Sequence, residues 1–255
     1  MKGIIIKDDA RYDYTEKYLQ NKGYHLGSEL KPEELDFAIF PFMEDADKSI
    51  YNDDFFSRLR KNIIVFSGIK NSYLSEKCAA HKINYLIMMD DDGIKVKNAV
   101  PTSEGVIAYL VNNLSRTVAY SKILVIGYGV CGRDLSLRLK ALGANVSALV
   151  RNREKECAAH ADSIAPIYLS ELTNDYDAIV NTVPQCIFTD EMIKLTNNAL
   201  LVDIASKPYG FNMEIAKLLN SKSALLPGIP GKSSPQTAGE ILAEYIHYVL
   251  RRTSK

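Results

Sequence analysis

Gly127, Gly129 and Gly132 stand in the run KILVIGYGVCGRDLSLRLKALG, directly after an apolar stretch and ahead of an amphipathic one. Glycine at the first position permits a tight turn, and at the second it lets the main chain approach a pyrophosphate. At the third it lets a helix pack closely on the strand. The bare N–H groups and positive dipole end of that helix would then face the phosphates. Such a pattern is a weak signal when it stands alone. Here KILVI, the following helix and NVSALV have the spacing of a βαβ unit, which makes it specific. Tyr128, Val130 and Cys131, at the variable positions, join the glycines as candidate dinucleotide contacts.

The residue after the second strand of such a unit selects the nucleotide. An Asp or Glu there bonds the ribose 2′-hydroxyl of NAD and would repel a 2′-phosphate. This chain has Arg151, Asn152 and Arg153 instead. A guanidinium takes a phosphate bidentately, so NADP(H) is favoured over NAD(H). The competing reading has Arg151 and Arg153 as solvated surface charges with little selectivity.

The loop needs elements to hold it, and 255 residues are enough for two modest domains or one large one. Apolar β-like runs alternate with amphipathic stretches throughout, the pattern of an α/β fold with parallel sheets. GIIIKD, FAIFPF, NIIVFSG and INYLIMM read as strands in the first half, with helices at YTEKYLQNKG and NSYLSEKCAAHK. From Pro101, PTSEGVIAYLVNNLSRTV carries Val106, Ile107, Leu110, Val111 and Leu114 at helical spacing, with Thr102 or Ser103 as its cap. This helix reads as a bridge between two domains. Beyond NVSALVRN, the runs DAIVNTVP, ALLVDIAS and SALLPG read as strands, with a helix between the first two. SPQTAGEILAEYIHYVLRR is a strongly amphipathic final helix, and Arg251 and Arg252 suit its C-terminus.

The 31 basic and 31 acidic residues cancel, which argues against nucleic acid or an anionic membrane surface as a partner. No apolar stretch approaches bilayer-spanning length, and the opening MKGIIIKDD is too short for a signal peptide. A soluble cytoplasmic protein is expected. Cys78, Cys131, Cys157 and Cys186 show no CxxC pairing and read as reduced structural thiols. No metal is expected either, because no cluster has ligand spacing and Asp90, Asp91 and Asp92 read as a solvated turn.

Four segments besides the glycine loop are distinctive: VFSGIKNSYL (65–74), NAVPTSEGVI (98–107), NTVPQCIF with VDIASKPYG (181–188, 202–210), and LLPGIPGKSSPQTAGEIL (225–242). They resemble the A-subunit family of dipicolinate synthase, the enzyme of spore-forming bacteria that makes pyridine-2,6-dicarboxylate. The resemblance covers most of the chain from Ile63 onward. Before it, the Gly-Gly-Asp-x-Arg turn of the family is here Lys7-Asp8-Asp9-Ala10-Arg11, keeping Asp9 and Arg11 without the glycines. The resemblance implies a flavodoxin-like N-terminal domain (1–100) and a Rossmann NAD(P)-binding domain (101–234), as in the two-domain 2-hydroxyacid dehydrogenases. The C-terminal helix (235–255) returns to the first domain. It further implies an NADP-dependent oxidoreductase of the sporulating mother cell, expected to self-associate and to work with a separate B subunit. Its substrate would be a dihydro- or 4-hydroxytetrahydro-dipicolinate, a small dicarboxylate of the lysine pathway.

On that resemblance, hydride leaves a ring carbon for the nicotinamide as a dihydropyridine becomes aromatic, a base takes the accompanying proton, and the protein mainly holds the ring in place. Two substrate carboxylates then need cationic or N–H partners. Candidates lie at the carboxyl ends of strands, where open α/β sheets bind ligands. Ser67 and Gly68 follow NIIVF, and Asn181, Thr182, Val183 and Pro184 end DAIVNTVP beside the expected nicotinamide ribose. Thr102, Ser103 and Glu104 open the bridging helix, whose N–H groups would hold a carboxylate. Ser206 and Lys207 end ALLVDIAS, and Gly228, Pro230 and Gly231 form a turn. Catalytic roles are assigned to Lys207, Ser206, Glu104 and Thr102. Substrate contacts are assigned to Ser67, Gly68, Thr102, Ser103, Lys207, Gly228, Pro230 and Gly231. Structural readings compete: Glu104 suits a capping box, Ser206 a bond to its own backbone, and the prolines simply shape the connection. His25, His81, His160 and His247 all fall outside these segments, so the His-based chemistry of hydroxyacid dehydrogenases is not expected. Two alternatives therefore stay open: a dehydrogenase of another small carboxylic acid, and a non-catalytic nucleotide-binding or regulatory subunit.

Overall fold

The computed structural model describes residues 1–42, 51–187, 189, 192, 199–218 and 222–253. The chain divides into two compact units, Met1–Asn98 with Ser234–Lys255, and Ala99–Ser233.

In the first unit, β1 (Lys2–Ile5), β2 (His25–Leu26), β3 (Phe37–Phe40), β4 (Ile64–Ser67) and β5 (Asn84–Ile87) form a five-stranded sheet. Its order is β2-β1-β3-β4-β5 and every pairing is parallel, which is the flavodoxin-like arrangement. β3 and β4 are buried at every position, which explains why FAIF and IVFS read as unbroken apolar runs. Successive side chains go to opposite faces. Phe37 and Ile39 pack with Tyr12 and Leu19 of α1 (Arg11–Asn21) and with Ile241, Ile246 and Leu250 of the C-terminal helix (Pro235–Thr253). Ala38 and Phe40 pack with Phe56 of α2 (Asp53–Arg58) and with Leu74 and Cys78 of α3 (Ser72–His81). The C-terminal helix touches α1 backbone to backbone. A Cβ on Gly239 would stand 2.2 Å from the Arg11 carbonyl oxygen, and the Thr15 hydroxyl donates to the Gly239 carbonyl at 3.0 Å.

The long helix α4 (Asp92–Asn113) runs from the first unit into the second. The sequence pattern begins this segment at Pro101 and takes Thr102 or Ser103 as the helix cap. Instead the Asp91 carboxylate accepts the Ile94 N–H at 3.0 Å and caps the helix well upstream. Pro101 lies inside it. This corrects two expectations: Asp91 is a cap rather than part of a solvated turn, and Thr102, Ser103 and Glu104 do not open a helix.

In the second unit, β6 (Lys122–Ile126), β7 (Asn145–Leu149), β8 (Ala165–Ile167), β9 (Ala178–Asn181), β10 (Leu200–Asp203) and β11 (Ser223–Leu225) form a six-stranded sheet. Its order, β11-β10-β9-β6-β7-β8, is all parallel and is that of a Rossmann domain. Ile123 and Val125 join Val106 and Leu110 of α4 and Leu135 and Leu139 of α5 (Val130–Ala141) on one face. Leu124 and Ile126 join Ile179, Leu201 and Phe211 on the other. The strand order reverses between β6 and β9, and the carboxyl ends of these strands carry the candidate site.

The sequence pattern does not announce β2, α2, β8 or α6 (Arg153–Ala161). β2 has two residues, β8 contains Pro166 on a sheet edge, and α6 buries only Ala159. The helix expected between DAIVNTVP and ALLVDIAS lies outside the described residues. α7 (Met213–Leu218) precedes β11, and α8 (Ile229–Ser233) follows it. Gly228, at φ +66, leads into α8, where Pro230 and Gly231 are buried, so the expected turn there is a short helix. His247, on the C-terminal helix, is half-buried, and its Nδ1 lies 2.9 Å from the Tyr24 hydroxyl. Among the described residues, no helix is long and apolar enough to cross a membrane.

Candidate functional site

β6 ends at Ile126 and the chain turns at Gly127, whose φ of +93 is open to glycine and strained for other residues. The Gly127 N–H donates to the Leu149 carbonyl at 3.0 Å, tying the turn to β7. A Cβ on Gly127 would stand 2.5 Å from Val183 Cγ2 and 2.8 Å from Thr182 Oγ1. A Cβ on Gly132 would stand 2.1 Å from the Gly127 carbonyl oxygen, so α5 lies directly on the turn. Thr182 braces the loop from β9, its hydroxyl donating to the Ile126 carbonyl at 2.8 Å. Gly129 is the N-cap of α5, and no side chain caps it. A Cβ there would meet nothing within 4 Å. Uncapped N–H groups below an open, side-chain-free space fit a pyrophosphate.

Tyr128 turns its side chain inward. Its side chain is 4% exposed and belongs to the core. The hydroxyl donates to Asp162 Oδ2 at 2.8 Å, and Arg133 donates to both oxygens of that carboxylate, at 2.6 and 2.9 Å. The Arg133 guanidinium and then the Tyr128 hydroxyl hold the Asp162 carboxyl down at about 2. Burial first, then Asp162, pushes the phenol up. A dinucleotide would meet only the main chain of Tyr128.

After β7, Val150 is buried while Arg151 and Arg153 are exposed. Neither arginine makes an ion pair among the described residues. Asn152 caps α6, its side-chain oxygen accepting the Lys155 N–H at 3.0 Å. That oxygen therefore has a structural task.

Asn181 and Asp203, fully buried at the ends of β9 and β10, are joined by a 2.9 Å bond from Asn181 Nδ2 to Asp203 Oδ1. The Asn181 amide also donates to the Val183 carbonyl and accepts the Val183 N–H. Asp203 accepts N–H bonds from Ala205 at 2.9 Å, Gly210 at 2.6 Å and Phe211 at 3.3 Å. One carboxylate thus closes the base of the loop that presents exposed Ser206 and Lys207. Ser206 accepts the Tyr209 N–H through its carbonyl, and the Lys207–Pro208 peptide is cis. Sequence reasoning passed over Asp203. The signal was there in an acid closing the apolar run LLVD, where burial obliges it to collect donors.

The remaining candidates have mostly structural partners. The Ser67 hydroxyl donates to the Ile69 carbonyl at 2.7 Å and lies 2.6 Å from the Tyr85 hydroxyl, so its proton is already committed. A Cβ on Gly68 would meet the Phe42 ring at 2.4 Å. Arg11 is buried, bonded to Asp9, with its guanidinium 4.1 Å from the Phe42 centroid. Glu104 is exposed and lies 3.4 Å from Arg138. Thr102 is buried inside α4, and so is Ser103, whose hydroxyl has no hydrogen-bond partner among the described residues. In the second unit Gly127 and Gly132 meet at the turn with Thr182 and Val183 against it, and Gly129, Val130 and Cys131 lead into α5. Ser67 and Gly68 belong to the first unit. Among the described residues, no His/Cys/Asp/Glu group could hold a metal.

Residues 103–221 match the D-isomer specific 2-hydroxyacid dehydrogenase, NAD binding domain family. Over 205 residues the chain is 31% identical to the A subunit of dipicolinate synthase from Bacillus subtilis (strain 168), covering 79% of this chain and 69% of that one. The chain belongs to the A-subunit family of dipicolinate synthase. The crystal structure of the A chain of dipicolinate synthase from Bacillus subtilis is 26% identical, with a TM-score of 0.90 over 100% of this chain and 97% of that one. The corresponding dipicolinate synthase structure from Bacillus halodurans has the same fold, at 24% identity and a TM-score of 0.91, over 98% of this chain and 97% of that one. Family membership and the matched domain make this an oxidoreductase-type subunit built to hold a nicotinamide cofactor.

Proposed function

We propose that this chain is the NADP(H)-binding subunit of a dipicolinate synthase, forming pyridine-2,6-dicarboxylate together with a separate B subunit. Its substrate would be a dihydro- or hydroxytetrahydro-dipicolinate. The observation that carries this reading is the uncapped glycine cradle followed by exposed Arg151 and Arg153, in a chain of this family. The N–H groups at the start of α5 would hold the pyrophosphate, and Arg151 with Arg153 the 2′-phosphate. When bound, the dinucleotide supplies a hydride acceptor. Lys207, at the exposed crest of the loop closed by Asp203, would pair with a substrate carboxylate, with Ser206 beside it. Assay of the purified chain, of the B subunit and of the two together for dinucleotide-linked formation of pyridine-2,6-dicarboxylate tests the reading, with product expected from the complex. No product under either condition would favour a dehydrogenase of another small acid. Product with B alone, lacking this chain's contribution, would favour a regulatory subunit.

Two substitutions separate the parts of this site. Arg151→Ala should weaken NADPH binding about tenfold, the size of one charge-assisted bond, and leave NADH binding unchanged. Titration calorimetry with both nucleotides measures it, and NADH binding as tight as NADPH in the wild type would remove Arg151 as a phosphate clamp. Lys207→Ala should raise the KM for the dicarboxylate roughly tenfold through loss of a charged partner, with NADPH affinity unaltered. Unchanged turnover of the two-subunit enzyme would take Lys207 out of the site.

A further inference from the structure

A loop carrying Gly127, Gly129 and Gly132 should be difficult to hold still, because glycine loses more backbone freedom on ordering than any other residue. Its N–H groups serve a ligand best when they already face it, since ordering during binding subtracts from affinity. Within the loop, the side chain that ties it down is Tyr128, between the first two glycines. Its ring lies in the core beside Leu135 and Val150 in the same apolar cluster, and its hydroxyl reaches Asp162 at 2.8 Å. Arg133, in the first turn of α5, grips the same carboxylate with two bonds. The two ends of the loop are therefore attached to a single group.

That group is itself fixed. Asp162 is the C-cap of α6. Its N–H donates to the Ala158 carbonyl at 3.2 Å, and its carbonyl accepts the Lys140 ammonium at 3.1 Å. Its side chain is only 13% exposed. The bidentate pairing also commits Arg133 to Asp162, leaving main-chain N–H groups rather than that guanidinium to meet the phosphates.

We propose that Tyr128, Arg133 and Asp162 form a clamp that presets the glycine loop for a pyrophosphate, with the Tyr128 hydroxyl as its positioning group. The proposal rests on the dinucleotide reading and adds to it the residues that shape the cradle from beneath without touching the ligand.

The test compares two ligands on Tyr128→Phe, Asp162→Asn and the double variant by titration calorimetry, with thermal melting as the check on folding. NADPH spans the glycine loop, whereas 2′-AMP lacks the pyrophosphate. Tyr128→Phe keeps the ring in the core, so it stands as the interpretable variant should Asp162→Asn fold poorly. Each single variant should weaken NADPH about fivefold to twentyfold, a part of the worth of a bond to a charged group, and leave 2′-AMP within about twofold. The double variant should be little worse than Asp162→Asn, because both changes act on the same Tyr128–Asp162 contact. NADPH affinity within about twofold of wild type in Tyr128→Phe, or equal losses for both ligands, would overturn the clamp. An absence of heat with wild type and NADPH would instead overturn the dinucleotide reading, and the clamp with it.

Discussion

Gly132→Ala should reduce dinucleotide affinity by at least about a hundredfold, equivalent to roughly 3 kcal/mol. The new Cβ would stand 2.1 Å from the Gly127 carbonyl oxygen, 3.0 Å from its carbon and 3.1 Å from Thr182 Oγ1. Two of these atoms are main chain, so no rotamer change relieves the clash. Gly127 cannot move away freely. Its φ of +93 and its N–H bond to Leu149 fix it against β7, and Val183 and Thr182 close its other side. Helix α5 must therefore shift, and the N–H groups at its start shift with it. Gly129→Ala provides the contrast. Its Cβ would meet no protein atom within 4 Å, so melting should be unchanged while the methyl obstructs a pyrophosphate approaching that backbone. Calorimetry with NADPH and thermal melting on both variants would separate the effects. Wild-type affinity in Gly132→Ala would show that close contact between helix and turn is dispensable.

The largest effect on stability should come from Gly239→Val. A Cβ there would stand 2.2 Å from the Arg11 carbonyl oxygen and 2.9 Å from the Tyr14 Cβ. Thr15 locks the same contact, its hydroxyl lying 3.0 Å from both the Arg11 and Gly239 carbonyl oxygens. Any side chain must push the C-terminal helix away from α1. Separation of the two helices would open the packing of Leu19, Ile246 and Leu250, all fully buried. Overpacking of this kind costs about 3 kcal/mol, lowering the melting temperature by roughly 10 °C. Thermal unfolding followed by circular dichroism measures it, and a shift below about 2 °C would show that the helices part without cost.

How much of this was legible in the sequence depended on how local the cause was. The glycine loop is legible because each glycine answers a main-chain need within a few residues of itself. Both sheets are legible because β3, β4, β9 and β10 are buried on both faces and so read as continuous apolar runs. The start of α4 is not, since Pro101 and Thr102 imitate a helix opening while Asp91, farther upstream, supplies the cap. Weakly buried α6 and β8 left too little apolar periodicity to be seen.

The direction of side chains at the site was less accessible still. Tyr128 sits in the glycine motif, yet its hydroxyl belongs to Asp162, 34 residues away. Ser67 looks available at a strand end until Tyr85, 18 residues on, is found beside it. Asp203 gains its purpose from Asn181 on the neighbouring strand. Residue spacing alone thus settled the type of fold and the main-chain cradle, because backbone geometry repeats over short stretches. Which polar groups remain free for a ligand emerged only on folding, because buried hydrogen bonds join residues far apart in the chain and each must be satisfied.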